Sequence, residues 1–78
     1  MGDEGVFRVE TRSEPRRGRV PVRFGWPGQL REVAEQLDSW EGEDHRYFRV
    51  RVNDGSICIL RYDLSADCWQ LHFFREGS

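Results

Sequence analysis

The sequence predicts a mainly β fold: a small antiparallel meander of five to six strands, strongly twisted or barrel-like. Three observations carry this expectation. Val20, Val22, Phe24 and Trp26 alternate with Pro21, Arg23 and Gly25, the period of two of a half-buried strand. Phe48, Val50 and Val52 alternate in the same way with Tyr47, Arg49 and Arg51. Between and beyond these runs stand turn sequences: Pro27-Gly28, Asn53-Asp54-Gly55 and Leu64-Ser65-Ala66-Asp67.

The elements follow in order. Val6–Glu10 reads as a short strand. Residues 11–18 hold no hydrophobic side chain and read as a mobile Arg-rich loop. Residues 1–18 therefore form an acidic start, a short strand and a loop, ahead of a single small β domain over 19–76. Pro21 marks a strand start or an edge, because it cannot donate to a ladder. The segment 29–39 is ambiguous. Leu30, Val33, Ala34 and Leu37 sit at helical spacing among good helix formers. An α+β fold with one helix at about 29–39 is the alternative. Glu41–Asp44 is a solvated loop, 45–52 a strand, 56–62 its return and 68–74 a last strand.

The turn at 53–55 admits two registers that place opposite faces of the return strand on the core. With Gly55 as a left-handed bulge, Val50 meets Cys58 and Phe48 meets Leu60. A four-residue loop at 64–67 then pairs Leu60 with Leu71 and Cys58 with Phe73. Both hairpins put Phe48, Val50, Val52, Cys58, Leu60, Tyr62, Trp69, Leu71 and Phe73 on one face, so the bulged register is preferred. The other face carries Tyr47, Arg49, Arg51, Ile57, Ile59, Arg61, Gln70, His72 and Phe74, the mixture of a binding surface or of a face covered by the N-terminal segment.

Composition narrows the function classes. With 78 residues the chain has room for one small domain. Its twelve basic residues are all arginine, and a net charge of −2 excludes a generally basic nucleic-acid coat. The longest apolar run is Ile57–Leu60, whereas a membrane span needs about 20 residues. The acidic start lacks the apolar stretch of a secretory signal, so a cytoplasmic location is expected. Cys58 and Cys68 do not form a disulfide framework, and with His45 and His72 they make no metal-ligand spacing. No cofactor or small-molecule substrate is expected.

The candidate binding residues are Tyr47, Arg49, Arg51 and Arg61 on one sheet face, and Arg16, Arg17 and Arg19 in the basic run. Aromatics stack on bases and guanidinium groups reach phosphates, but an aromatic and arginine surface is equally that of a protein hot spot. The acidic block 32–44 reads as a solvated face. Asp44-His45 with Asp63 could be drawn as a catalytic pair, yet no nucleophile elbow, phosphate loop or metal cluster accompanies them. Asp63 reads instead as the residue that fixes the turn at 64–67. Cys58 is expected among apolar neighbours that raise its pKa. A non-enzyme is expected.

Several residues also carry a resemblance: Phe24-Gly25-Trp26-Pro27-Gly28, Leu37-Asp38-Ser39-Trp40, Tyr47–Val52, Asp54-Gly55, Leu60, Asp63 and Trp69-Gln70-Leu71. Over about two-thirds of its length, Pro21 to Phe74, the chain resembles an uncharacterised family of small bacterial cytoplasmic domains. That family is similar to the C-terminal segment of ImuB, the inactive polymerase homologue of translesion repair. The resemblance implies a long curved strand at 29–40, with Trp26 and Trp40 on neighbouring strands reaching the core. The family usually has an aromatic at the position of Arg31 and a β-branched residue at that of Gln36. It further implies an interaction module linked to bacterial DNA-damage tolerance, with another protein as partner. Single-stranded nucleic-acid binding by the Tyr47 face is the alternative.

Overall fold

Each strand hydrogen-bonds to the next in one six-stranded antiparallel sheet, in the order β1-β2-β3-β4-β5-β6. The computed structural model describes residues 6–76. The strands are β1 Arg8–Glu14, β2 Gly18–Trp26, β3 Gln29–Glu41, β4 His45–Val52, β5 Ile57–Asp63 and β6 Cys68–Arg75. The sheet curls into a half-barrel, and the described residues contain no helix. Inside the curl Phe24 packs with Phe48, Val50, Val52, Cys58 and Leu60, and Phe7, Val9, Val33, Trp69 and Leu71 close around them. We call the opposite side of the sheet the outer face.

The central hairpins follow the bulged register. Phe48 faces Leu60 and Val50 faces Cys58. Gly55 adopts φ +90°, and its N–H donates to the Val52 carbonyl at 2.9 Å. That φ is open to glycine and strained for most side chains. Asp63 faces Cys68 and Leu60 faces Leu71, again as the loop length predicts. Beyond Leu71 the structure departs from expectation. The register shifts, so that Phe73 faces Ile59 and Phe74 faces Cys58. His72 is the extra residue. Phe74 therefore turns to the inner side, near Leu71 and under the Arg31 guanidinium, while Phe73 takes the outer face.

The segment at 29–41 is a strand, and its helix-like spacing has a geometric origin. Val33 faces Val52, Gln36 faces Val50 and Ser39 faces Phe48. β3 thus advances three residues for every two on β4, with Ala34 and Leu37 as the extra residues of two bulges. A bulged strand with a period of three resembles a helix in sequence, since helix neighbours recur at i+3 and i+4. Pairing with β4 then overrides the helix propensity of Glu35, Gln36 and Ala34.

The first hairpin is longer than the sequence suggests. The strand expected to end at Glu10 runs on to Glu14, and only 15–17 remain as a turn. Residues 8–14 belong to the same sheet as the rest, so the boundary expected at 18/19 falls inside the β1–β2 hairpin. The cause is main-chain pairing. β2 needs a partner on this side, and polar residues suit an edge strand whose side chains stay exposed. Arg23 bridges to Glu10 at 3.3 Å, and Arg12 to Glu14 at 2.7 Å. Pro21 is tolerated because β3 pairs with β2 only over Arg23–Trp26, leaving that side of Pro21 without a ladder. A register shift next to it, at Val22, relaxes the ladder further.

Neither tryptophan expected in the core is buried: Trp26 is 42% and Trp40 is 41% exposed. Trp26 packs edge-on against Phe7, with ring centroids 5.1 Å apart. Gly25 before it has φ +143°, and a Cβ there would strike the Gln29 carbonyl oxygen. Only glycine lets the β2–β3 turn close this tightly.

One inner-face position is poorly matched to its surroundings. Gln36 lies opposite Val50, and its buried Oε1 has no hydrogen-bond partner among the described residues. A buried acceptor without a partner costs about 1–3 kcal/mol. Replacing Gln36 by Val removes that acceptor and suits a strand. Gln36→Val is expected to raise the unfolding free energy by about 1 kcal/mol in urea titrations; a loss of stability would contradict this account of the site.

Candidate functional site

The outer face of β3–β6 is built around β4, whose alternation turns Tyr47, Arg49 and Arg51 away from the core. β5 adds Ile57, Ile59 and Arg61 beside them, and β6 adds Gln70, His72 and Phe73. Four of the sequence-predicted candidates, Tyr47, Arg49, Arg51 and Arg61, therefore share one surface. Phe74, expected with them, is replaced by Phe73 through the β6 bulge.

β3 contributes what the sequence reading left out. Its two bulges bring Glu35 opposite Arg51, Asp38 opposite Arg49 and Trp40 opposite Tyr47. Arg51 is salt-bridged to Glu35. Arg61 donates from Nε and Nη2 to the Gln70 Oε1, the Nε bond being 2.8 Å. Part of the acidic block thus lies on the same face as the arginines, and the face is of mixed charge. Among the described residues Arg49 makes no ion pair and remains exposed.

The rings form a row. Trp40 stacks on Tyr47 with centroids 5.3 Å apart and an interplanar angle of 10°. His72 meets the other side of Tyr47 edge-on at 5.4 Å. Gly42, in the β3–β4 loop, sits close enough to Tyr47 that a Cβ there would lie 3.2 Å from the ring. Tyr47 is therefore held from three sides with its rotamer restricted. Alternation already placed His72 on this face, whereas Trp40, which the resemblance sends to the core, could have been found only by placing the bulges of β3.

The basic run does not join this surface as a unit. Arg16 and Arg17 lie in the β1–β2 turn, and Arg17 lines a cleft between β2 and β3 with Arg12, Arg23, Glu32 and Glu35. Arg19 donates to the Thr11 hydroxyl at 2.6 Å and faces a different hollow, formed with Phe48, Tyr62 and Trp69.

The remaining chemical candidates have structural roles. Asp63 accepts at Oδ1 from the Ser65 N–H, the Ser65 hydroxyl and the Ala66 N–H, each at 3.0 Å. These bonds hold the 64–67 turn, in which Asp67 takes a left-handed φ of +53°. His45 faces Asp63 across the ladder, with Nε2 to Oδ2 at 3.5 Å. Cys58 is fully buried, and burial pushes its thiol up to about 11, far from a thiolate at neutral pH. The described residues contain no cluster of His, Cys, Asp or Glu able to hold a metal, and no helix long and apolar enough to cross a membrane.

Comparison with family models, curated proteins and solved structures finds no match to this chain.

The turn carboxylates give the fold a pH dependence. Asp63 is held below its usual value, first by the Ala66 N–H and then by the Ser65 hydroxyl; Asp54 is lowered by Ser56. A carboxyl lowered in the folded state stabilises above its unfolded pKa and loses that contribution as pH falls through the folded value. Stability is therefore expected to fall below about pH 4. Asp63→Asn, which keeps an acceptor but does not titrate, is expected to flatten that decline in denaturation curves taken from pH 6 to pH 2. An unchanged acid slope would remove Asp63 from the explanation.

Proposed function

We propose that this domain is a non-catalytic interaction module that docks another protein on its outer face. The observation that carries the reading is the Trp40–Tyr47–His72 row, exposed at both ends and half-buried at Tyr47, beside the cation of Arg49, which has no ion pair among the described residues. Tryptophan, tyrosine and arginine are the residues that dominate binding energy at protein interfaces. A ring already stacked and restricted loses little entropy when a partner covers it. The resemblance to the ImuB C-terminal segment implies a setting in bacterial DNA-damage tolerance, inside the cytoplasm.

The electrostatics favour this reading over single-stranded nucleic acid. Arg51 and Arg61 spend their donors on Glu35 and Gln70, and Glu35 and Asp38 place carboxylates among the arginines. A phosphate backbone draws most of its affinity from free cations.

The test is a quantitative capture experiment with the immobilised domain and a bacterial extract, comparing wild type with Tyr47→Ala and Arg49→Glu. Each variant is expected to lose the specific partner by about tenfold or more, while Arg12→Glu on β1 retains it. A partner set indifferent to both outer-face changes would contradict the proposal. Salt-sensitive binding of labelled single-stranded DNA that is lost in Arg49→Glu would transfer the surface to nucleic acid.

A further inference from the structure

We propose that the free edge of β6 pairs with the β6 edge of a second copy of this chain. Among the described residues β1 and β6 end the strand order, and β6 hydrogen-bonds to β5 alone. The two ends are different in kind. β1 alternates Arg8, Glu10, Arg12 and Glu14, the charged type of edge that discourages added strands. β6, Cys68–Arg75, has no proline, and Arg75 at its very end is its one Asp, Glu, Lys or Arg.

Exposed apolar side chains gather at this same edge. Phe73 on the outer face is 45% exposed; Phe74, Leu30 and Trp26 on the inner side are 39%, 39% and 42% exposed. These last three, with Phe24, Leu71 and Arg31, whose guanidinium lies over the Phe74 ring, line a cleft of about 630 Å³. An edge strand with partly exposed apolar groups on both of its faces is a template for strand addition.

The lack of charge over Cys68–Phe74 selects the occupant. A strand aligned antiparallel to its own image brings each side chain near a counterpart from the same short segment, and like charges facing one another destabilise such pairs. Cys68–Phe74 has none to oppose. Two-fold pairing also closes at two chains, whereas β6 against the β1 of another copy makes a head-to-tail contact that builds a ring or a filament and covers the ion-paired arginines and glutamates of β1. The exposed parts of the four apolar side chains supply roughly 300 Å² per copy. With the main-chain ladder this makes an interface at the small end of the specific range, and association is expected at about 10–100 µM. The proposal is independent of the outer-face reading, because Trp40, Tyr47 and Arg49 are not needed for it.

Sedimentation equilibrium of the full chain, from about 1 µM to about 1 mM, tests it. The expected mass rises from the 9.3 kDa of one chain towards twice that value and stops there. Phe73→Lys is expected to raise the dissociation constant by about tenfold or more, and Cys68→Lys to act in the same direction should Phe73→Lys fail to fold by circular dichroism. Ser13→Lys, on the β1 edge, is expected to leave it unchanged. A single-chain mass at every concentration would overturn the proposal. So would a dimer broken by Ser13→Lys, one insensitive to folded β6 variants, or open-ended growth.

Discussion

Two extra residues in β3, Ala34 and Leu37, determine what the sheet displays on each side. Against the two-residue step of β4, β3 must step by three, so Val33, Gln36 and Ser39 face inward. Glu35, Asp38 and Trp40 oppose Arg51, Arg49 and Tyr47. The neutralisation of Arg51, the stacking on Tyr47 and the mixed charge of the outer face all follow from that count. A strand without the bulges would lay its carboxylates alternately on both faces, and would bury some of them without partners. Bulges also sharpen the twist, which helps a sheet of six strands to curl around so small a core.

Much of the central sheet was legible in the sequence. Val50 against Cys58 and Phe48 against Leu60 followed from requiring that two hairpins agree on one core face, with Gly55 supplying the left-handed residue. The role of Asp63 in its turn followed from the local geometry available to a short carboxylate. What stayed hidden has a common physical cause. Alternation assumes that one residue on a strand answers one on its neighbour. It therefore misplaced Phe73 and Phe74 beyond the β6 bulge, and the core position that the resemblance implied for Trp40 fails at the bulges of β3. At β1 the composition gave a different false signal. A polar edge strand paired to β2 has no apolar period to reveal it, so residues 11–14 looked like loop.

The outer surface draws its character from this arrangement rather than from the number of arginines. Of twelve, Arg51 and Arg61 serve the sheet, Arg23 ties β2 to Glu10 and Glu32, and Arg31 reaches Asp54 while lying over Phe74. The planar guanidinium suits such roles, since it stacks and donates in more than one direction. Arg49 is left at the centre of the face, beside a row of rings held in place by their neighbours. β6 supplies His72 to that row and ends the sheet beyond it.

The most direct test of the central claim is a nuclear magnetic resonance map of the β3–β4 ladder. The account predicts cross-strand Overhauser contacts for Val33 with Val52, Gln36 with Val50 and Ser39 with Phe48, together with contacts between the Trp40 and Tyr47 rings. Helical i to i+3 contacts through 29–39, or an unbroken ladder in which β3 also advances by two, would contradict it.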